Sequence, residues 1–134
     1  MDGWYPWDYA LGRIFGALRE NGLFKNTWVV FTSDHGEMLG DHHMSQKNLF
    51  FEGSAHVPLF IVPPAGRGLP SNISIDTLTE LADLYPTILA MAGVKPPMSV
   101  SGKNLLEPLP EERLFFGDSL HTNFCVMEEG VKLV

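Results

Sequence analysis

Hydrophobic positions in the first half of the chain predict one amphipathic helix and two short strands. Within residues 7–20, apolar side chains recur at the i, i+3, i+4, i+7 spacing of a single helix face. They are Leu11, Ile14, Phe15 and Leu18. Asn21-Gly22 then forms a helix stop signal, and continuous apolar runs predict strands over residues 27–32 and 57–62. Helix, short loop and buried strand in this order are typical of an α/β fold, whose central strands are covered on both faces.

A second helical pattern runs from Thr77 to the residue before Gly93. Thr77 and Glu80 have the spacing of a capping box, which marks one start of the helix. Pro86 lies inside the pattern, so the helix either kinks there or begins near Asp83 with Pro86 in its first turn. We favour the second start, because proline is tolerated in the first turn of a helix and breaks its interior.

Short strands are predicted in the remainder of the second half. An alternating pattern covers residues 73–75, and further strands are predicted at 113–117, 123–127 and 131–134. Glu129-Gly130 is expected to form the turn between the last two strands. The strands after residue 112 therefore predict a small antiparallel sheet beside the main one.

The segment between the two N-terminal strands concentrates the polar chemistry of the chain. Four of the five histidines fall within residues 27–58, together with four acidic residues. Asp34 and His35 directly follow the first strand, and ligands in open α/β sheets bind beyond the carboxyl ends of the strands. A carboxylate and an imidazole there can converge on one metal ion, and Gly36 lets the backbone turn away. We expect mostly loop in this segment, with a helical turn near residues 37–39.

The motifs of this region resemble, in their order, the C-terminal metal-and-lysine region of the sulfatase family, which belongs to the alkaline phosphatase superfamily. They read TSDHGE at residues 32–37, LGDHH at 39–43, Lys47, FFEGSAHVPLFIVP at 50–63 and ADLYPTILAMAGV at 82–94. The resemblance extends from about residue 8 to the end of the chain. It implies the fold class: a fragment of an alkaline-phosphatase-like α/β/α sandwich with a small C-terminal antiparallel sheet.

The resemblance also divides the chain. Residues 1–112 resemble the C-terminal part of the sulfatase α/β core, with the metal-and-lysine region at 32–58, and residues 113–134 resemble the start of a small antiparallel subdomain. The family cleaves sulfate esters with a formylglycine nucleophile, made from Cys or Ser in a C/S-x-P-x-R motif. That motif does not occur in these 134 residues, and the single cysteine, Cys125, lies in the unrelated context FCVM. We therefore expect a truncated chain that lacks the nucleophile and is inactive by itself.

The resemblance implies a role for each residue of the site. Asp34 and His35 are expected to ligate a divalent metal, with Ca²⁺ the expected ion. Because His35 stands where many family members have asparagine, its imidazole also admits Mn²⁺ or Zn²⁺. Lys47 is expected to contact the sulfate or the bridging oxygen of a sulfate ester substrate. Apart from the resemblance, His42, His43 and Glu37 are candidates for hydrogen-bonded support of the metal ligands. The alternatives are exposed loop histidines and a Glu37 carboxylate that braces the loop.

Other polar residues are expected to have structural roles. Glu52, in the motif EGS, is expected to cap backbone amides, and His56 stands where arginine is frequent in the family. His121 and Cys125 are expected to belong to the scaffold or the surface.

Composition narrows the range of partners. The net charge of −7 argues against a general nucleic-acid binder, which needs a basic face. No apolar run approaches the roughly 20 residues of a membrane span, and no signal peptide is visible, so the compartment is not predicted. A single cysteine excludes an internal disulfide. An isolated chain of this kind is expected to expose an unpaired sheet edge and to self-associate.

The sequence leaves three functions open. The first is a sulfatase, and the second is a phosphomonoester or phosphonate hydrolase of the same superfamily. These residues do not separate the transfer of SO₃ from that of PO₃. The third is a non-catalytic truncated domain that binds metal weakly.

Overall fold

The computed structural model describes residues 5–47, 49–69, 72–119, 123–128 and 131–133. The chain divides into two compact units. The first comprises Met1–Phe31 and Phe60–Ile73, and the second comprises Thr32–Leu59 and Ser74–Val134. Asp34, His35 and Lys47 all lie in the second unit.

The first unit contains the predicted N-terminal helix, α1, Tyr5–Glu20. It begins two residues earlier than predicted and ends where predicted. The backbone N–H of Asn21 still donates to the Ala17 carbonyl, and Gly22 then adopts a left-handed φ of 65° that stops the helix. Neither α1, with 16 residues, nor any other helix in the described ranges is long and apolar enough to cross a bilayer.

Two short strands form a two-stranded sheet: β1 is Val29–Thr32 and β2 is Leu59–Val62. Each begins two residues later than predicted. The expectation that they are buried on both faces is wrong for this chain. Every residue of β1 is only half-buried, and Phe60 and Val62 of β2 are 60% and 43% exposed. Among the described residues each strand pairs only with the other, so part of each face remains open to solvent.

The second unit contains a short helix, α2, Glu52–Ala55. Further along the chain, a single 3₁₀ turn leads into the next helix, α3, Leu84–Met91. The later of the two predicted starts is confirmed, and Pro86 lies in the first turn. The capping box is formed by Glu80 and Asp83, so the prediction of a box at Thr77 is wrong. The physical reason is that Asp83 accepts the Glu80 backbone N–H at 2.9 Å, which organises the chain at this later point.

The second unit also contains the predicted small sheet, which is antiparallel with the order β3-β4-β5. Its strands are β3, Phe115–Ser119, β4, Asn123–Glu128, and β5, Val131–Leu133. Cys125, in β4, is completely buried, as expected of a scaffold residue. The turn predicted at Glu129-Gly130 and the residue His121 lie outside the described ranges.

Two strand predictions differ from the structure. Residues 73–75 form no strand; Ile73 and Ile75 are 61% and 57% exposed, so their alternation is not accompanied by a buried face. The strand predicted from residue 113 begins at Phe115. Arg113 lies before it, and its guanidinium is paired with the carboxylate of Asp83.

Candidate active site

The turn after β1 brings Asp34 and His35 together at the end of the strand. Ser33 Oγ donates to the His35 carbonyl at 2.6 Å, and the backbone N–H of His35 donates to Asp34 Oδ1 at 3.0 Å. Asp34 Oδ2 lies 3.4 Å from His35 Nε2. The two side chains predicted to share a metal therefore point to a common place.

The hydrogen bonds of His35 determine which ring nitrogen carries the free lone pair. Nδ1 lies 2.8 Å from the Gly36 carbonyl oxygen, which can only accept, so Nδ1 is the protonated nitrogen. Nε2 then has the free lone pair, and it lies 2.6 Å from Lys47 Nζ. The structure thus brings Asp34, His35 and Lys47 together and presents the imidazole as the tautomer that binds metals through Nε2.

A short helix that sequence analysis missed, α2, Glu52–Ala55, positions the backbone of this cluster. The backbone N–H of Gly36 donates to the Ser54 carbonyl at 2.8 Å. The Ser54 hydroxyl donates to the Lys47 carbonyl at 2.5 Å, and Ser54 is buried. A helix of four residues is too short to show a hydrophobic period, so no signal in the sequence marks it.

The loop before Lys47 is anchored by Met38, which is buried and whose backbone N–H donates to the Gln46 carbonyl at 3.0 Å. The helical turn predicted near residues 37–39 is wrong, because the backbone of Met38 pairs across the loop instead of along a helix. The turn lies at Asp41–His43 and is a 3₁₀ turn.

Of the three residues expected to support the metal ligands, two make other side-chain contacts in the structure and the third is exposed. The Glu37 carboxylate accepts the backbone N–H of Gln46, the residue before Lys47, and so braces the loop. The His42 ring stacks on Phe51 with the ring centroids 4.3 Å apart. His43 is exposed. Hydrogen-bonded support of metal ligands by these three residues stays a prediction.

The electrostatics of the cluster favour an ionised Asp34. Desolvation on its own raises the pKa of Asp34, but the charge that the His35 ring carries when protonated, the hydrogen bond from the His35 backbone N–H and attraction to Lys47 lower it more. The pKa of Asp34 therefore lies below its usual value, and the group is a carboxylate at neutral pH. With its side chain 83% exposed, Asp34 is accessible as an anionic ligand.

Asp34 and His35 fit a divalent cation as part of its ligand set. An imidazole nitrogen beside a carboxylate oxygen suits Mn²⁺ or Zn²⁺, and the carboxylate also suits Ca²⁺. Within the part of the chain that the structure describes, no three or more His, Cys, Asp and Glu side chains gather into a metal cluster. A divalent cation held by Asp34 and His35 would therefore need further ligands that this cluster does not provide.

Two ion pairs of the second unit were not predicted from the sequence. Asp83 accepts from the Arg113 guanidinium at 2.8 and 2.9 Å. Glu52 accepts from Lys132 and from the His56 ring, in place of the backbone amides it was expected to cap. The partners lie 30 and 80 residues apart along the chain, so no local spacing could have revealed either pair.

Several known proteins are similar to this chain. A family model described as Sulfatase matches residues 3–94. Arylsulfatase K of Xenopus laevis is 41% identical over 124 residues, which cover 90% of this chain and 23% of that protein. An arylsulfatase of Clostridium perfringens is 39% identical over 125 residues, which cover 92% of this chain and 26% of that protein. The chain thus spans about a quarter of the length of these curated relatives.

A solved structure is similar as well. The phosphonate monoester hydrolase of Agrobacterium radiobacter superposes with a TM-score of 0.73 at 31% sequence identity. The superposition covers 93% of this chain and 30% of that protein. The likeness therefore extends over nearly all of the chain and corresponds to less than a third of the hydrolase.

Proposed function

The chain belongs to the sulfatase family, and from this premise we propose that it serves the metal-assisted hydrolysis of a sulfate ester. The match to the Sulfatase family model and the similarity to arylsulfatases confirm the family that the motifs predicted. The superposition confirms the predicted fold class, an α/β fold of the alkaline-phosphatase-like type with a small antiparallel sheet. The observation that carries the proposed function is the convergence of Asp34, His35 and Lys47.

In this proposal Asp34 and His35 are two ligands of a divalent cation. The hydrogen bond from Nδ1 to the Gly36 carbonyl orients the ring and makes Nε2 a better donor of its lone pair. When bound, the ion neutralises sulfate oxygens and stabilises a deprotonated nucleophile. Ca²⁺ is the expected ion, and Mn²⁺ or Zn²⁺ bound through His35 are the alternatives.

Lys47 is proposed to bind the sulfate group. The lone pair of His35 Nε2 serves one partner at a time, so the ammonium of Lys47 is free to turn to a substrate oxygen when Nε2 is a metal ligand. Hydrolysis breaks the bond between sulfur and the ester oxygen, and negative charge develops on that oxygen. An ammonium hydrogen-bonded there stabilises the charge as the bond breaks.

The nucleophile is proposed to be supplied from outside these 134 residues, because no C/S-x-P-x-R motif occurs among them. We therefore expect the chain by itself to bind metal without turning over an aryl sulfate. Turnover by the isolated chain would show that one of its own groups performs the attack.

A phosphonate monoester hydrolase activity is the second candidate. The phosphonate monoester hydrolase of Agrobacterium radiobacter superposes over 93% of the chain and supports this candidate as a superfamily relative. Sulfate and phosphonate esters both present tetrahedral centres with anionic oxygens, so the same cation and ammonium can bind either. Rates with the two substrate classes, measured side by side, decide between them.

Metal binding by the chain tests the site directly. Mn²⁺ titrated into ¹⁵N-labelled protein is expected to broaden the amide signals of residues 34–37 and of Lys47. Asp34→Asn and His35→Ala are each expected to abolish this broadening, whereas the exposed Asp76→Asn leaves it intact. Broadening that survives both site variants would show that the metal binds elsewhere, and the proposed site would then be wrong.

Activity is tested by placing residues 3–94 into the matching segment of the Clostridium perfringens arylsulfatase. The chimera is expected to hydrolyse an aryl sulfate, and Lys47→Ala to lower kcat by about 10²-fold or more, as loss of a charge-stabilising donor does. Lys25→Ala, at an exposed lysine inside the transplanted segment, serves as the matched control. A soluble chimera that binds Mn²⁺ and hydrolyses neither substrate class would favour the non-catalytic domain.

A further inference from the structure

Lys132, in the last strand β5, reaches the segment that follows Lys47. Its ammonium donates to the Phe50 carbonyl at 2.9 Å and to the Glu52 carboxylate. The Lys132 side chain is 22% exposed, so most of it is removed from water. A single cation thus connects the sheet β3-β4-β5 to the first residue of α2.

The other end of α2 contacts the candidate site. Ser54, two residues after Glu52, donates its hydroxyl to the Lys47 carbonyl at 2.5 Å. Its own carbonyl accepts the Gly36 backbone N–H at 2.8 Å. Because α2 is a single helical turn, a displacement of Glu52 moves Ser54 and, with it, the backbone of Gly36 and Lys47.

Apolar contacts support the same connection. The strand register places Phe115, Met127 and Lys132 in one cross-strand row, on the sheet face that meets Phe50. The rings of Phe50 and Phe115 meet edge to face with centroids 6.5 Å apart. Gly117 leaves room for this ring, since a Cβ there would lie 2.5 Å from Phe50. The sheet therefore contacts the segment before α2 in two ways: through the Phe50–Phe115 ring contact and through the hydrogen bond from the Lys132 ammonium.

We propose that Lys132 is a positioning residue of the candidate active site: through Glu52 and α2 it holds the backbone of Gly36 and Lys47 where Asp34, His35 and Lys47 converge. This role deepens the proposed function and rests on it. This role cannot be read from local sequence patterns, because Lys132 and Glu52 are 80 residues apart along the chain.

The chemistry of Glu52 supports the role of Lys132. One carboxylate oxygen accepts from Lys132 and the other lies 2.8 Å from His56 Nδ1, so both oxygens are engaged. The hydrogen bond from Lys132 is the main cause that keeps the pKa of Glu52 below its usual value. Without the ammonium, the Phe50 carbonyl loses a charged donor. Glu52 then keeps only its contact with the His56 ring.

Hydrogen exchange in the 134-residue chain, without metal, tests the connection. In Lys132→Met the amide of Gly36, which donates to Ser54, is expected to exchange about tenfold faster through local opening. The amide of Val94, which donates to Leu89 in the same unit, is expected to be unchanged. A general loss of stability would accelerate both amides alike, and such a result would overturn the positioning role.

Two variants separate the ammonium from the bulk of the side chain. Lys132→Arg keeps a cation that can donate to both Phe50 and Glu52, and it is expected to restore slow exchange at Gly36. Lys95→Met removes an exposed lysine and is expected to change nothing. Fast exchange at Gly36 in Lys132→Arg, with the fold intact, would overturn the proposal.

Mn²⁺ affinity distinguishes failure of this inference from failure of the proposed function. Lys132→Met is expected to weaken Mn²⁺ binding about tenfold, which is about 1.4 kcal/mol. If Asp34→Asn abolishes Mn²⁺ binding and Lys132→Met leaves it unchanged, the metal site stands and the positioning role is wrong. If Asp34→Asn has no effect, the proposed function is wrong, and exchange at Gly36 still decides whether Lys132 holds the loop.

Discussion

At the scale of single residues, the candidate site depends on two glycines whose backbones meet. A Cβ on Gly36 would lie 2.0 Å from the Gly53 carbonyl oxygen, which no side chain can do without moving backbone. A Cβ on Gly53 would lie 3.4 Å from the Glu37 carbonyl oxygen, at ordinary contact distance. The two glycines look alike in sequence, but only position 53 has room for a side chain.

We predict that Gly36→Ala separates the turn after β1 from α2. The substitution is expected to cost about 1–3 kcal/mol in the free energy of unfolding, as overpacking does. It should also weaken Mn²⁺ binding, because the carbonyl that Gly36 offers to His35 Nδ1 moves with its backbone. Urea unfolding followed by tryptophan fluorescence, and the Mn²⁺ titration, measure the two effects.

Gly53→Ala is the matched control for this prediction. It adds the same methyl group to a helical residue on the other side of the contact and is expected to leave both measurements nearly unchanged. Equal effects of the two substitutions would show that the backbone contact does not organise the site.

At the scale of elements, Asp83 ties the start of α3 to two later segments. Asp83 is fully buried, and besides Arg113 its carboxylate accepts the backbone N–H of Lys103 at 2.7 Å and that of Glu80 at 2.9 Å. Arg113 also donates to the Leu78 carbonyl at 2.7 Å. A buried carboxylate with this many donors is satisfied as an anion, and removing either partner would leave an uncompensated charge.

We predict that Asp83→Asn destabilises the second unit by about 3–5 kcal/mol at neutral pH, because Arg113 is left buried without its counter-charge. Burial raises the pKa of Asp83, but hydrogen bonds from Arg113, Lys103 and Glu80 lower it more. The folded pKa therefore lies below the unfolded one. The pair stabilises the fold above the ordinary Asp pKa of about 3.9, and this stability is lost as pH falls through the folded pKa.

Unfolding free energies at pH 7 and in acid, for the parent chain and Asp83→Asn, check this prediction. The nearby Glu80 titrates in the opposite sense, because burial and Asp83 raise its pKa, so the difference between the two proteins is the informative quantity. Asp76→Asn, at an exposed position, is the control and should shift stability by less than about 0.5 kcal/mol. A difference that does not shrink in acid would contradict the assignment.

Element length decided what could be predicted at this scale. α1, with 16 residues, shows several turns of one apolar face, and its stop signal at Gly22 ends it where the sequence indicates. α2 has four residues and shows none. The start of α3 was predicted from the backbone chemistry of Pro86, but its cap depends on the buried Asp83, whose partner Arg113 is 30 residues away.

At the scale of the whole molecule, the chain exposes open strand edges and apolar strand residues. The outer residues of the sheet β3-β4-β5 include four large apolar side chains that are 54–71% exposed. They are Phe116, Phe124, Val131 and Leu133. Within the described ranges β5 pairs on one side only, so its other edge is free to pair with a second copy of the chain.

We predict that the 134-residue chain self-associates, and that Leu133→Lys reduces this association by placing a charge on the edge strand. Sedimentation velocity at several concentrations measures it. Met98→Lys is the control, since Met98 is equally exposed, at 72%, and lies outside any strand. A single monomeric species at all concentrations would show that this edge is not used.

The sequence by itself determined the family and the α/β order of elements and indicated the residues of the candidate site, because these depend on local patterns and on motifs read along the chain. Tertiary structure alone decided how those residues meet: the tautomer of His35, its contact with Lys47, and the support of both through α2. Lys132 acts on Glu52 from 80 residues away, and only folding makes such partners neighbours. Periodicity and spacing report a residue's local environment, whereas a contact between distant segments leaves no trace in either.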